Sequence, residues 1–454
     1  MKDTLITPYS EGSRCYDTGY NDKLTINKTT LPKTVAGVTL GNMVEWFDFA
    51  IYSAMAMIMA KVFFPVSNNK TEMIAIYATF AAGFVIRPLG GFIFGPIGDK
   101  FGRRTALVAS ISVMSLSTLL ISIIPSYHSI GMLAPVLLVL CRMLQGLSTG
   151  GEYGGSCIFI SEHSPDKKRT FLTSWLEFGN ILGFLVGGII VSIISHTLGE
   201  SVMLAWGWRV PFAIAGLMGI VAIFIRMRVD ETPIFKEMQS EKKRSPQIKT
   251  SFVTIIAKEW KQLLRCAGIV AAFNISYYII LGYIPGYLSS FLGKSQEFSA
   301  NLSLISTLGL LVFIPLFGYF GDIFGRKRLL QIGCIVMILF SVPAFMALKS
   351  GDTVFIIISM CVLIAGMLFF EGTIPATLTS LFGHKARYSC FAISYNLSVS
   401  LLGGTAPLLN TMLIEKTGST LVPAYYLMAG ALMGILAMWG MKDYTGKPLP
   451  ADQS

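Results

Sequence analysis

The stretch GPIGDKFGRR, Gly95 to Arg104, returns in altered form as GYFGDIFGRKR, Gly318 to Arg328. Gly95, Asp99, Gly102, Arg103 and Arg104 of the first copy match Gly318, Asp322, Gly325, Arg326 and Lys327 of the second. The copies stand close to half the chain apart, which marks a tandem repeat. Each is a short charged turn between long apolar runs. Gly95 lets two helices approach closely, and Gly102 allows a tight turn. Asp99 suits a helix N-terminus, where the peptide dipoles favour an anion. Arg103 and Arg104 suit the headgroup region, within reach of carboxylates.

Outward from these turns, apolar runs long enough to cross about 30 Å of hydrocarbon lie near 35–61, 72–97, 105–124, 132–160, 169–195 and 206–228. Six more lie near 263–292, 299–320, 328–348, 353–381, 387–413 and 420–441. The 454 residues are 53% hydrophobic and 13% charged, with a mean hydropathy of +0.64. A soluble domain carries roughly a quarter charged residues, so most of this chain is dissolved in lipid. The expectation is an all-α membrane protein of twelve transmembrane helices in two six-helix halves. Its parts are a tail over 1–34, halves over 35–228 and 263–441, a basic linker over 229–262 and a short tail over 442–454. The first 34 residues are polar with no cleavable signal pattern, so the first apolar run is expected to direct insertion.

Charge sets the orientation. Of 36 Lys and Arg, five fall in outside loops (Lys61, Lys70, Lys294, Lys349 and Lys416) and three, Arg87, Arg142 and Arg209, lie within or at the edge of spans. The others cluster on the opposite side, which places both termini in the cytoplasm. The net charge of +11 therefore reflects topology, and no nucleic-acid partner is expected. The linker's basic residues, Lys236 to Lys261, can touch anionic headgroups but read first as topology-setting charge.

The doubled loop motif resembles the signature of the major facilitator superfamily, in which this loop is a conformational latch. By that resemblance Gly95, Asp99, Gly102, Arg103, Arg104, Asp322, Gly325 and Arg326 form the latch. GNMVEWFDFAIY (Gly41 to Tyr52), RPLGG (Arg87 to Gly91), RMLQGLSTGGEY (Arg142 to Tyr153), SWLEFG (Ser174 to Gly179) and WGWRVPF (Trp206 to Phe212) resemble the metabolite:proton symporters. SPDKKR (Ser164 to Arg169), NISYY (Asn274 to Tyr278), PAYYLM (Pro423 to Met428) and IPSY (Ile124 to Tyr127) are most similar to the proline/betaine:proton symporters. The likeness runs over about residues 33–445 and implies a multi-pass transporter of the cell inner membrane. Osmosensory members of that branch carry a long C-terminal coiled coil. Here thirteen residues without heptads follow Met441, so coiled-coil-tuned regulation is not expected.

Ionisable residues inside a membrane are costly and mark function by default. Asn42, Glu45, Phe49 and Tyr52 recur at helical spacing and share one face, with Asp48 on the adjoining stripe. Glu45 lies roughly 15 Å along its helix, near mid-membrane, where a carboxyl can take up and release a coupling proton. Asp48, Glu152 and Glu177 are further candidates for that role. Glu371 is the remaining intramembrane carboxyl, with structural and functional roles standing level. Arg87, roughly 18 Å from the cytoplasmic edge, must find an anion, with Glu45 or Asp48 expected. Arg142 and Glu152 form the other pair to watch, and Arg142, Gln145 and Thr149 share a stripe.

The aromatic residues suggest a cargo, since quaternary ammonium groups are held by aromatic faces. Trp46, Phe49, Tyr52, Trp175, Tyr277, Tyr278 and Tyr283 could line one cavity, while Trp206, Trp208, Trp260, Tyr425 and Tyr426 suit the interfacial belt. Asn42, Arg87, Arg142 and Gln145 complete the candidate substrate site. Free positive charge within the spans is scarce, which favours a small zwitterion of the proline or glycine betaine class over a citrate-type carboxylate. The expected partners are that substrate, a proton and the bilayer, with no obligate protein partner and no cofactor beyond the coupling proton. A non-transporting sensor would need an output domain that neither tail nor linker is long enough to supply. No H-E-x-x-H, G-x-S-x-G or Walker motif is present, so neither enzyme chemistry nor a metal site is expected.

Overall fold

The structure, a computed structural model, describes residues 31–65, 69–244, 257–290 and 292–451. The expected tail up to residue 30, the linker's centre with Lys249, and the last three residues lie outside the described residues. Regular secondary structure among the described residues is entirely helical. Eleven helices are long and apolar enough to cross a membrane. They are α1 (Leu31–Phe63), α2 (Asn69–Phe101), α3 (Arg103–Ile123), α4 (Leu133–His163), α5 (Arg169–Val202), α6 (Arg209–Met227), α7 (Trp260–Ser289), α8 (Gln296–Phe324), α9 (Arg326–Lys349), α10 (Thr353–Thr379) and α11 (Arg387–Thr417). A further apolar helix, α12 (Val422–Ala437), has 16 residues, short of the usual twenty or so for a span.

The burial pattern is that of a lipid-dissolved bundle. Large apolar side chains such as Ile305, Val312, Leu339 and Leu408 face outward, while Asn42, Glu45, Asp48, Arg142, Glu152 and Glu371 are buried. Lipid is as apolar as leucine, so close packing of small residues rather than water exclusion holds such helices together. The glycine stripe of α5 shows this: a Cβ on Gly187 would stand 2.7 Å from Ala50 Cβ and 2.8 Å from Phe47 O of α1.

Helix pairing follows a simple scheme. In the first part α1 packs on α5, α2 on α4 and α3 on α6; in the second, α7 on α12 and α9 on α10 and α12. Two broad contacts join the parts, α5 against α8 and α2 against α11. Four helices are irregular among the described residues, and α5 leaves helical geometry at Gly199 (φ +75°). A π-helical stretch interrupts α7 at Tyr278–Tyr283 and α11 at Val399–Gly403, and α10 breaks at Gly372 and Thr373. Such widened turns often mark functional sites in helical proteins.

The interfacial belt needs a correction. Trp206, Trp260 and Tyr425 are exposed, but Trp208 is fully buried, with its ring 5.2 Å from Phe63 and 6.4 Å from Phe212. The sequence gives its depth near a helix end, whereas the rotation of α6 turns it inward. Tyr426 is half-buried and donates to Leu402 O at 3.1 Å.

Candidate functional site

Three polar clusters occupy the interior of the first six helices. In the first, Asp48 accepts from Gln145 Nε2 at 2.9 Å and Thr118 Oγ1 at 3.0 Å, and pairs with Arg142 Nη1 at 3.3 Å. Arg142 and Gln145 are three residues apart on α4 and so share a face. The Arg142 guanidinium lies 3.4 Å from the Tyr52 ring centroid. Tyr52 is thus a support for Arg142.

In the second cluster Glu152 pairs with Arg226 of α6 and accepts from Ser110 Oγ at 2.6 Å. Arg226 also donates to Leu107 O and Val38 O, each at 3.3 Å. By sequence Arg226 belongs with the cytoplasmic charges, and Arg142 is the expected partner of Glu152. Gly41 explains the difference, because a Cβ there would fall 2.5 Å from the Arg226 guanidinium carbon. That glycine lets the arginine lie across α1.

The third cluster is a relay. Asn42 Nδ2 donates to Asn180 Oδ1, Asn180 Nδ2 to Glu177 Oε2 at 2.6 Å, and Tyr153 Oη to Glu177 Oε1 at 2.5 Å. Tyr153 stacks on Tyr395 of α11 at 4.3 Å. The line runs from α1 through α5 and α4 to the second part of the chain.

Glu45 sits among these clusters without a cationic partner of its own. It is buried, its Oε2 accepts no hydrogen bond, and Glu152, Arg87, Arg226 and Thr149 surround it. The expected ion pair of Arg87 with Glu45 or Asp48 does not form. The Arg87 guanidinium instead lies 4.8 Å from the Phe49 centroid and 4.2 Å from that of Phe84. Among the described residues no carboxylate stands within 4.0 Å of it. Asp48 is taken by Arg142, and cation–π contact gives Arg87 a different form of support.

Beside Arg87 runs an aromatic wall. Trp46 is 5.8 Å from Phe49 and 5.4 Å from Tyr277, Tyr277 is 5.6 Å from Tyr278, and Tyr278 is 6.0 Å from Phe84. Trp175 packs at 6.2 Å and 4.9 Å on Phe171 and Phe178, while Tyr283 packs on Tyr287 at 6.0 Å. Phe84, Thr118, Tyr153, Asn180, Arg226 and Tyr395 escaped the reading of the sequence. Three of these have a local signal, Phe84 one turn before Arg87, Asn180 one turn after Glu177 and Tyr153 next to Glu152.

The doubled motif forms two crossed locks. Asp99 accepts from the N–H groups of Tyr388 (3.2 Å) and Ser389 (2.9 Å) and from Ser389 Oγ (2.7 Å), at the N-terminus of α11. Asp322 accepts from Thr170 N and Phe171 N, both at 2.9 Å, at the N-terminus of α5. Each aspartate therefore caps a helix from the other part of the chain. Gly102 and Gly325 turn at φ +112° and +97°, and a Cβ on Gly95 would stand 2.7 Å from Ser389 Cα.

Arg103 is not in the headgroup region but fully buried, 3.5 Å from Asp99 and 3.4 Å from Glu162. Arg387 Nη1 reaches the other Glu162 oxygen at 2.9 Å. Glu162 thus joins α3 to α11, and paired charges tolerate burial where single ones do not. The Arg104 side chain donates to Met227 O, and Arg326 Nη1 donates to Ala376 O at 2.8 Å.

Residues 34–451 match the sequence profile of the family described as Sugar (and other) transporter. The chain is 40% identical over 434 residues to a proline/betaine transporter of Salmonella typhimurium, covering 94% of this chain and 87% of that one. It is 41% identical over 437 residues, with the same coverage, to a glycine betaine/proline/ectoine/pipecolic acid transporter of Dickeya dadantii. Among solved structures, the major facilitator proton:xylose symporter XylE aligns with a TM-score of 0.77 at 20% identity, covering 93% of this chain and 98% of that one. The chain accordingly belongs to the sugar (and other) transporter family, and is a multi-pass membrane transporter.

Proposed function

We propose that this chain is a secondary active symporter of the cell inner membrane, which couples proton entry to uptake of a small zwitterion of the proline or glycine betaine class. The observation that carries the substrate class is the state of the buried arginines. Arg142 is bound to Asp48 and Arg226 to Glu152, while Arg87 has aromatic faces and, among the described residues, no carboxylate within 4.0 Å of it. One available cation suits one substrate carboxylate. Trp46 and Tyr277 then offer their rings to the substrate's ammonium, and Asn42, Gln145 and Tyr278 complete the site. A citrate-type substrate would need several such cations. The names of the 40% identical relatives point the same way.

Glu45 is the coupling carboxyl in this reading, with Asp48, Glu152 and Glu177 as the charge network around it. The two six-helix halves, 35–228 and 263–441, rock about the central site with both termini cytoplasmic and α12 as the twelfth span. The exchange of Asp99 and Asp322 between halves supports that division, since each lock breaks when the cytoplasmic ends part. The test is uptake of labelled proline into proteoliposomes with an imposed pH gradient. Excess glycine betaine should block it and citrate should not. Competition by citrate at micromolar concentration, with betaine inert, would hand the site to carboxylates.

A further inference from the structure

Glu371 has no part in the site so far described, yet among the described residues it is the buried carboxylate with neither oxygen satisfied. It is fully buried, and neither carboxyl oxygen has a hydrogen-bond partner. It ends the first segment of α10, directly before the break at Gly372. A helix C-terminus opposes negative charge, so its position gives an ionised carboxylate nothing to lean on.

Packing brings Glu371 to Glu177. A Cβ on Gly372 would stand 2.7 Å from Gly318 N of α8, and one on Gly318 would stand 2.6 Å from Ser174 Cβ of α5. Helices α5, α8 and α10 therefore meet at one level, and Glu177 lies one turn beyond Ser174. The titratable groups facing Glu371 are Glu177 from α5 and Tyr277 from α7. Asp322 of α8 and Arg326 of α9 are engaged nearer the cytoplasm, with Thr170 and Phe171 and with Ala376 O respectively. Among the described residues no cation pairs with either carboxyl within 4.0 Å.

We propose that Glu371 and Glu177 form a second proton-binding site on the seam between α5 and α10, separate from Glu45. Two neighbouring carboxyls without a cation retain a proton between them while water is excluded. Glu177 already has donors in Tyr153 and Asn180, so the proton rests on Glu371. Opening of the cytoplasmic lock draws α5 away from α8 and α10 and admits water. The Glu371 O–H bond then breaks, its proton passes to that water, and a hydrated carboxylate remains. On return to the outward-facing state the carboxylate is protonated again from the outer side. The site rests on the proton-coupled reading above and adds one proton to each transport cycle.

The test is the endpoint accumulation ratio of labelled proline in proteoliposomes at a fixed pH gradient, which depends on the coupled protons and not on the rate. Loss of one coupled proton lowers that ratio about tenfold per unit of gradient. E371Q is expected to show this fall, and an accumulation ratio equal to that of the unmodified protein overturns the site. Absence of any pH-driven accumulation in the unmodified protein would instead refute proton coupling itself. Should E371Q not be recovered folded, infrared spectra of the unmodified protein decide. The carbonyl band of a protonated carboxyl, beyond any lost in E45Q, should bleach during turnover, and absence of that band overturns the proposal.

Discussion

Replacing Asp99 with asparagine tests the lock most directly. Asp99 accepts three hydrogen bonds at the start of α11, two of them from backbone N–H groups, and stands 3.5 Å from Arg103. Asparagine keeps one accepting oxygen and turns an NH2 group towards the other donor. At least one hydrogen bond to a charged acceptor is lost, each contributing about 1.5–3 kcal/mol. Loss of the negative charge at the helix N-terminus removes about 0.3–1 kcal/mol more, or up to about 2 when partly buried. A total near 2–4 kcal/mol against the inside-closed state shifts its population by a factor of roughly 30 to several hundred. Distances between spin labels on the cytoplasmic ends of α4 and α10 should lengthen in Asp99→Asn, and proline turnover should fall. Among the described residues Asp322 accepts two bonds, both from backbone N–H groups, and forms no ion pair within 4.0 Å, so Asp322→Asn should do less. Equal or reversed effects of the two substitutions would refute the argument.

Three further outcomes follow from the site. Glu45→Gln should abolish accumulation driven by a pH gradient while the protein still inserts; full proton-driven uptake by that variant removes Glu45 from the coupling role. Arg226→Gln leaves Glu152 buried and unpaired, at a cost of about 3–5 kcal/mol. Its yield in detergent and thermal midpoint should drop, and adding Glu152→Gln should recover much of both. Arg87→Ala should raise the KM for proline at least tenfold, with Arg87→Lys intermediate because lysine keeps the charge but not the planar contact with Phe49 and Phe84; an unchanged KM in both variants places the substrate carboxylate elsewhere.

The sequence by itself determined what depends on the chain's own axis. Hydropathy set the spans, because crossing a bilayer needs a run of apolar residues whatever lies beside it. The doubled glycine–aspartate–arginine turn set the repeat. Helical spacing placed Asn42 and Glu45 on one face, and the quoted strings led to relatives that share 40% identity over most of the chain. Even the fitness of Asp99 for a helix N-terminus was local chemistry, though not which helix it would cap.

Only the tertiary structure decided which charge meets which. Spacing along a helix gives depth and face, but not the neighbour that the face turns towards. Spacing pointed Arg87 to Glu45 or Asp48 and Arg142 to Glu152, but α4 places Arg142 3.3 Å from Asp48 and the rotation of α2 sets Arg87 against two rings. Arg226 looked like a topology-setting charge because it lies at the end of α6, and Gly41 on a distant helix is what admits it to the core. The Glu162 bridge joins α3, α4 and α11, and the Glu177–Glu371 juxtaposition joins α5 and α10. Both depend on how the parts of the chain dock, which no periodicity within a single helix records.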